Sequence, residues 1–311
     1  MLLTHGAASA ALPPVALTIG NFDGIHRGHQ AMLERLGSEA RKRGLTSCVL
    51  TFEPHPREFF SPQAAPTRLA SLREKYELLA ARGVERLHVL RFDKAFAALP
   101  PEVFIEQVLV GRLKARWLLI GEDFRFGARR SGDIGLLEKL AGRFGYELQA
   151  MPTVMHAGAR VSSSTVRAAL AAGNLAAAEE LLGRPYSISG RVVHGDKLGQ
   201  KLGFATANVQ MKHNRPPLTG IYAARVHGVG AAPRVGVASL GVRPTVTASG
   251  RAVLEVHLFD FSGDLYHEHV RVEFLHKIRD EEKYPDLETL KAQIARDCEA
   301  AKSFLMDHRN A

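Results

Sequence analysis

The pattern of the chain changes near residue 185. Before this point, short apolar runs alternate with stretches of helical periodicity, whereas after it short strand-like runs follow one another between Gly, Pro and Asp residues. Gly183-Arg184-Pro185 marks the change, because glycine and proline interrupt helical patterns. Alternation of strands and helices favours a parallel sheet covered by helices, and successive short strands favour a small antiparallel barrel. The 311 residues also exceed what one ordinary core covers. We therefore predict two domains, residues 1–183 and 184–311.

The predicted elements follow from this division. The first domain is expected to have strands at residues 15–19, 46–52, 86–90, 116–120 and 146–151. Its helices are expected at residues 30–43, 69–82, 101–110, 134–144, 164–172 and 174–182. The second domain is expected to have strands at residues 186–194, 203–209, 221–227, 234–240, 253–261 and 270–275, and a final helix at residues 287–304. Ligands of a parallel sheet of this kind bind at the carboxyl ends of its strands.

Composition narrows the choice of partner and compartment. A net charge of +9 favours anionic partners, but the basic residues form only short clusters, so charge alone does not choose between ATP and RNA. The sequence contains no run of about eighteen uninterrupted apolar residues, so no membrane span is predicted. The N-terminus lacks the basic segment of a signal peptide. Cys48 and Cys298 are far apart and not spaced for zinc. We therefore expect a cytoplasmic protein with reduced thiols and no membrane partner.

The segment from residue 18 to residue 29 carries the strongest chemical pattern. A predicted strand ends at Ile19, a turn containing Gly20 and Gly24 follows, and a helix begins near His26. The free N–H groups of a helix start form an anion site. Spacing of three residues places His26 and His29 on one face of the first helical turn, where two imidazoles can donate hydrogen bonds to phosphate oxygens. The pattern favours adenylyl transfer; the alternative is a turn in which both histidines only cap a helix.

Two further segments of the first half follow predicted strands or open predicted helices. Residues 162–167 supply hydroxyl groups and one guanidinium at a helix start, suited to a triphosphate, although taken alone they favour an ordinary N-cap. Asp123 follows a predicted strand and is well placed for a ligand contact, with an Asx-turn as the alternative.

A glycine-rich loop and an acidic strand residue mark the second half. Gly195 and Lys201 lie in a loop with further glycines that can surround phosphate, although it is not a Walker motif. Thr206 and Asn208 alternate with alanines, so their oxygen atoms face one side and can help hold Mg²⁺. Glu255 opposes an apolar strand face, and a carboxylate directed into a barrel mouth can accept the proton of an attacking hydroxyl. The alternative for the loop is a glycine-rich hairpin with surface polar residues, and an exposed sheet face gives the same alternation around Glu255.

These segments carry a resemblance to a known family. With Thr51-Phe52-Glu53-Pro54-His55-Pro56, the first half resembles the N-terminal module of the prokaryotic bifunctional riboflavin kinase/FMN adenylyltransferase (FAD synthetase) family, in the His-x-Gly-His nucleotidylyltransferase superfamily. From the loop at 194–196 through residues 220–223, 243–245 and 264–266 to 279–284, the second half is similar to the riboflavin kinase module of that family.

The resemblance implies a fold and a set of roles. The fold is a Rossmann-like α/β nucleotidylyltransferase domain followed by a small antiparallel β-barrel with a C-terminal helix. His26 and His29 stabilise the transition state of adenylyl transfer, Glu255 is the base of the kinase, and Thr206 and Asn208 bind Mg²⁺ with ATP. Nucleotide or flavin binding is implied for Gly20, Asn21, Phe22, Asp23, Gly28, Asp123, Ser162, Ser163, Ser164, Thr165, Arg167, Gly195, Lys201 and Arg279.

The chain departs from the family pattern at four positions. Val161 and Ser164 replace the first and fourth residues of Ile-Ser-Ser-Thr, and both changes are conservative. Ala205 stands where the family has proline, which loosens the loop, and His267 stands where it has glycine, which alters a turn. None of these changes removes a chemical group, so we expect reduced efficiency at most.

The expected function is two successive reactions on the substrates riboflavin, FMN and ATP. One alternative is a nucleotidylyltransferase acting on another phosphate acceptor, such as a pantetheine or nicotinamide derivative, and the kinase-like barrel argues against it. A second is a nucleic-acid-binding protein, which the basic charge fits but which has no need of His26, His29 and Glu255; no nucleic-acid partner is expected. A third is that one domain is catalytically weak, with Ala205 as the cause.

Overall fold

The chain folds into two compact units. The computed structural model describes residues 1–6, 12–156, 158–195, 203–212, 215–243 and 251–308. The first unit comprises residues 1–66 and 75–162, and the second comprises residues 67–74 and 163–311. No helix within these described ranges has both the length and the apolar character needed to cross a membrane.

The first unit is built on a six-stranded parallel sheet, which confirms the predicted fold class. The strands follow the order β1-β4-β3-β2-β5-β6 and every pair is parallel. Their bounds are Leu2–His5 (β1), Val15–Ile19 (β2), Thr46–Glu53 (β3), Arg86–Arg91 (β4), Ala115–Gly121 (β5) and Glu147–Met151 (β6). From β2 the chain continues to β3 on one side and later to β5 on the other. The carboxyl ends of β2 and β5 therefore meet at the switch point where such sheets bind ligands.

Three helices of the first unit lie within three residues of their predicted bounds, whereas the short helices at 56–60 and 94–97 were not predicted. The helices are Arg27–Arg43 (α1), Pro56–Phe60 (α2), Leu72–Ala81 (α3), Lys94–Ala97 (α4), Pro101–Val103 (α5) and Ile134–Phe144 (α6). After α5 the chain continues as a π-helical segment, Phe104–Arg112, in most of the stretch predicted as an ordinary helix. Helix α3 begins at residue 72 instead of 69, because Ser71 and Glu74 form reciprocal hydrogen bonds between backbone N–H groups and side chains (2.6 and 3.3 Å).

The buried residues of this sheet read as continuous apolar runs. All five residues of β2 are buried, and Val15, Leu17 and Ile19 belong to a cluster that includes Phe104 and Leu118. Such runs are expected where helices cover both faces of a parallel sheet. A short antiparallel pair, Met155–His156 (β7) and Ala159–Arg160 (β8), lies near the end of the unit.

The second unit contains a closed six-stranded antiparallel barrel and a C-terminal helix, both as predicted. Its described residues also include two helices that the prediction assigned to the first domain. The strands follow the order β10-β13-β12-β11-β14-β9. Their bounds are Ser187–Val193 (β9), Ala207–Gln210 (β10), Gly220–His227 (β11), Arg234–Arg243 (β12), Arg251–Leu258 (β13) and His269–Arg279 (β14). Inward-facing residues such as Leu240, Leu254 and Val272 are completely buried and fill the barrel.

The helices Ser163–Ala171 (α7) and Leu175–Leu182 (α8) pack with the barrel. Val166, Leu170, Ala178 and Leu182 are buried in the same apolar cluster as the barrel interior. The packing boundary therefore falls after residue 162, whereas the predicted domain boundary follows residue 183. The apolar faces of the two helices account for the difference, because they are buried within the second unit.

The last helix, Leu287–Asp307 (α9), covers part of the outer surface of the barrel. Asp286 caps it by accepting the N–H of Thr289 at 2.8 Å. Cys298 and Ala301 pack against Ile221 and Val237, which face outward from β11 and β12. Cys298, like Cys48 in the first unit, is free and buried.

Candidate active sites

The turn after β2 holds an unusual backbone conformation in a buried environment. The N–H of Gly20 donates to the carbonyl of Leu50 on the neighbouring strand at 3.0 Å. Phe22 and Ile25 have φ values of 46° and 44°, a region that side chains other than glycine rarely adopt, and both side chains are 1% exposed. Burial of these two side chains holds the turn in its strained form, as expected where a backbone is preorganised for function.

His26 is the N-cap of α1. Its Nδ1 accepts the backbone N–H of His29 at 3.3 Å, so the neutral ring carries its proton on Nε2. Gly28 lies under this ring, because a Cβ at residue 28 would be 3.1 Å from Nδ1 of His26. The absence of a side chain at Gly28 therefore makes room for the His26 imidazole, and the implied contact of Gly28 with a nucleotide stays a prediction.

The two histidines form a stacked pair. The ring centroids of His26 and His29 are 3.7 Å apart with 16° between the planes, and Phe22 lies 4.8 Å from His29. Burial lowers the pKa of His29 well below its usual value, and His26 and Lys75 lower it further. His29 is therefore neutral at pH 7. Its Nδ1 and the Oδ1 of Asn21 are buried without a hydrogen-bond partner, which marks this side of the turn as a place where a ligand can complete the hydrogen bonding.

A buried lysine lies beside the pair, and sequence reasoning missed it. Lys75, in α3, is only 5% exposed and donates to Oγ1 of Thr51 at 3.2 Å; that hydroxyl donates to the backbone carbonyl of Asn21 at 3.3 Å. A cation buried near the His26 and His29 pair creates a positive environment suited to phosphate. The sequence offers no signal for it, because Lys75 occupies an ordinary position in an amphipathic helix.

The remaining predicted residues of the first unit lie close to the same strand ends. Asp23 is buried in the turn. Asp123 follows β5, is exposed, and pairs with the guanidinium of Arg160. His55 caps α2, with Nδ1 accepting the N–H of Arg57 at 3.1 Å. The sheet order therefore brings the turn after β2 and the loop containing Asp123 to adjacent strand ends, while Asp123 itself is held in a surface ion pair.

The serine-rich segment crosses the boundary between the units. Ser162 ends the first unit, and Ser163, Ser164 and Thr165 form the first turn of α7 in the second. Nε of Arg167 donates to the backbone carbonyl of Thr67 at 2.6 Å, so this side chain anchors segment 67–74 within the second unit. Its contact with phosphate stays a prediction.

Glu255 lies on the outer surface of the barrel. Its neighbours Leu254 and Val256 are buried in the interior cluster, so the alternation along β13 directs Glu255 outward. The expected apolar face is thus confirmed. Of the two orientations that the sequence left open for the carboxylate, the structure has the one on the outer sheet face, because apolar side chains fill the interior. Across the sheet Glu255 is the register partner of Asn208 on β10 and of Ser239 on β12.

Asn208 and Gly195 are packed directly against each other. A Cβ at residue 195 would overlap the side-chain amide of Asn208, so glycine is required there by close approach. Thr206 directly precedes β10, which begins at Ala207 instead of the predicted residue 203. The structure therefore brings Gly195, Asn208 and Glu255 together, while Lys201 lies outside the described residues.

Arg279 is engaged in an internal ion pair. Its Nε and Nη2 donate to the two carboxylate oxygens of Asp297 at 2.8 and 2.7 Å, and Asp297 is 3% exposed. Nη1 donates to the carbonyl of Asp280. These bonds fasten the end of β14 to α9. The predicted role of Arg279 in ligand binding therefore stays a prediction, and its observed partners are within the protein.

Two family patterns match the chain. The FAD synthetase pattern matches residues 8–165, and the riboflavin kinase pattern matches residues 182–305. The chain belongs to the bifunctional riboflavin kinase/FMN adenylyltransferase family. It is 49% identical to the member from Escherichia coli (strain K12) over 96% of each chain, and 48% identical to that of Pseudomonas fluorescens over 92% of each.

The chain is also similar to a third relative of known sequence and to one solved structure. A member from Haemophilus influenzae is 45% identical over 96% of each chain. A crystal structure from Streptococcus pneumoniae, described as a macrolide-efflux protein, superposes with a TM-score of 0.80 at 30% identity, covering 97% of this chain and 99% of that one. The predicted family membership is confirmed, and both units share their fold with a solved structure.

Proposed function

We propose that the chain catalyses the two reactions for which its family is named. The barrel phosphorylates the 5′-hydroxyl of riboflavin with ATP to give FMN, and the parallel-sheet unit joins FMN to AMP from a second ATP, giving FAD and pyrophosphate. The observation that carries the proposal is that both family patterns match, one on each side of α7 and α8, with their chemical residues retained. Riboflavin, FMN and ATP are the substrates, so we also propose a cytoplasmic location.

In adenylyl transfer, we propose that the His26 and His29 pair stabilises negative charge. A phosphate oxygen of FMN attacks the α-phosphorus of ATP, and pyrophosphate leaves. Nε2–H of His26 can donate to the phosphate oxygens, because its Nδ1 is already occupied by the N–H of His29. The start of α1 and the buried Lys75 add positive potential. The attacking phosphate is already ionised, so no strong general base is required.

In phosphoryl transfer, we propose that Glu255 accepts the proton of the riboflavin 5′-hydroxyl. Thr206 and Asn208 would hold Mg²⁺, which neutralises phosphate charge and orients the nucleotide. The residues fit this ion: Asn208 is the cross-strand partner of Glu255, and Gly195 leaves the space that its amide occupies. No group of three or more His, Cys, Asp or Glu residues in the described ranges is arranged as a metal cage. That agrees with an ion that keeps water and phosphate among its ligands.

The other predicted residues are proposed to bind substrate. Around the first site these are Gly20, Asn21, Phe22, Asp23, Asp123, Ser162, Ser163, Ser164, Thr165 and Arg167; around the second they are Gly195, Lys201 and Arg279. Asn21 has the clearest support, because its side-chain oxygen is buried without a partner. We further propose that residues 1–183 carry the adenylyltransferase activity and residues 184–311 the kinase activity.

The test is to incubate the purified chain with riboflavin, ATP and Mg²⁺ and to separate the flavins by chromatography. We expect FMN to accumulate first and FAD to follow. FAD formed from supplied FMN, with no FMN formed from riboflavin, would show that the kinase half is inactive. Absence of any flavin product from either substrate would contradict the proposal and favour the nucleic-acid alternative, whose salt-dependent binding can be measured directly.

A further inference from the structure

The loop that leads into β10 has no proline at residue 205 to stiffen it. Proline at residue 205 would fix the backbone φ near about −65°, but this chain has alanine there. Ala205 directly precedes Thr206, and Asn208 follows within β10. The two proposed metal ligands, Thr206 and Asn208, must therefore be held in position without a proline at residue 205.

His257 makes a direct contact with this loop. Its Nδ1 lies 2.8 Å from the carbonyl oxygen of Ala205, and because a carbonyl oxygen only accepts, the ring donates from Nδ1. The imidazole also makes edge contacts with Phe204 and Phe259, at centroid distances of 5.5 and 5.9 Å. Both phenylalanines pack on the apolar cluster beneath α9. The ring is thus oriented by aromatic contacts while it holds the Ala205 carbonyl.

The position of this contact links it to the proposed base. In the register of β10 with β13, Ala207 is opposite Val256 and Asn208 is opposite Glu255. Beyond Ala207 the chain leaves the ladder, and His257 is the next outward-facing residue of β13 after Glu255. One strand therefore carries both the proposed base and the side chain that fastens the loop containing Thr206.

We propose that His257 is a positioning residue for phosphoryl transfer, whose hydrogen bond to the Ala205 carbonyl restrains the loop that carries Thr206. The inference rests on the proposed kinase function of the barrel. His257 acts through the loop, so its loss weakens the binding of ATP with Mg²⁺ more than it slows the chemical step.

The experiment compares two substitutions in two backgrounds. Asparagine at residue 257 keeps an N–H donor at the position of Nδ1, whereas leucine has nearly the same shape without the donor. We expect H257L to raise KM for ATP in riboflavin phosphorylation about fivefold with little change in kcat, and H257N to stay near the parent value. In the A205P background, the effect of H257L should fall to less than about twofold, because proline restrains the loop by itself.

Two controls separate positioning from loss of folding. FAD formation from supplied FMN is measured on the same preparations, because it depends on the other unit. H276L is the matched surface variant: His276 stacks on Phe304 at 4.5 Å, also beneath α9, and does not contact the loop in the described contacts. A parent chain that forms no FMN would refute the proposed function itself. With an active parent, an unchanged KM for H257L, equal losses for H257N and H257L, or an equal loss in the A205P background would overturn the role of His257.

Discussion

The two candidate sites are held in place by different physical means. In the parallel-sheet unit, Asp23, His26 and the neighbouring Lys75 of α3 are almost completely buried. The turn that carries Asp23 and His26 has strained backbone angles at Phe22 and Ile25. In the barrel, Asn208 and Glu255 lie half-buried on an outer sheet surface, positioned by strand register. Burial makes the first site sensitive to charge and pKa, whereas the second depends on backbone alignment and on the loop before β10.

The comparison predicts the largest loss of activity for a substitution of Glu255, the proposed base of the kinase. E255Q should reduce FMN formation by about 10² to 10⁴-fold, because glutamine cannot accept the hydroxyl proton. Steady-state kinetics with riboflavin measures this loss. FAD formation from supplied FMN should remain at the parent rate, and a parallel loss of both activities would show that the sites are not separate.

Substitution of a stacked histidine in the parallel-sheet unit should reduce FAD formation almost as much as E255Q reduces FMN formation. H29A should reduce FAD formation from FMN by about 10² to 10³-fold, since it removes one member of the pair proposed to stabilise transition-state charge. The kinase activity of the same chain serves as the folding control. Retention of more than about a tenth of the parent rate of FAD formation would assign His29 to helix capping and packing instead.

Lys75 tests whether burial and charge set the properties of the first site. K75M removes a cation that lowers the pKa of His29, so that pKa should rise. As the solution is acidified, the His29 ring would then become protonated at a higher pH. The acid limb of the pH–rate profile for FAD formation should therefore move to higher pH. We expect a rate loss of about tenfold at pH 7. An unmoved acid limb, or a limb moved to lower pH, would contradict the proposed coupling.

The smallest expected effect concerns the turn in the barrel at residue 267. His267 has a φ of 70°, a conformation that glycine adopts more readily than histidine. H267G should raise the free energy of unfolding by about 1 kcal/mol, because glycine adopts this conformation without steric strain. Urea denaturation followed by far-ultraviolet circular dichroism measures the change. Lower stability would show that interactions of the His267 side chain outweigh the strain.

The sequence predicted the fold class because its two periodicities are strong. Helical spacing also placed His26 and His29 on one face, and the structure shows their rings stacked. Strand β1 was missed, because four residues with Leu2 and Leu3 partly exposed give no alternating pattern. Its pairing with β4 is set by a neighbour more than eighty residues away.

Contacts made far along the chain account for what the sequence missed at the sites. Lys75 reaches Thr51 across 24 positions, and no local pattern encodes that contact. The alternation around Glu255 separated the two faces of β13, but it did not say which face carries the ligand. The close approach of the His26 ring to Gly28 was not predicted either, since it depends on the cap geometry of His26.

Complementation between two inactive variants tests most directly the claim that each unit holds one independent site. Purified E255Q and H29A are mixed with riboflavin, ATP and Mg²⁺, and FAD is measured by chromatography. Each variant alone should form almost no FAD from riboflavin, whereas the mixture should form it, because FMN made by the barrel of H29A reaches the first unit of E255Q. A mixture that forms no FAD, although the parent chain does, would contradict the account of two separate sites.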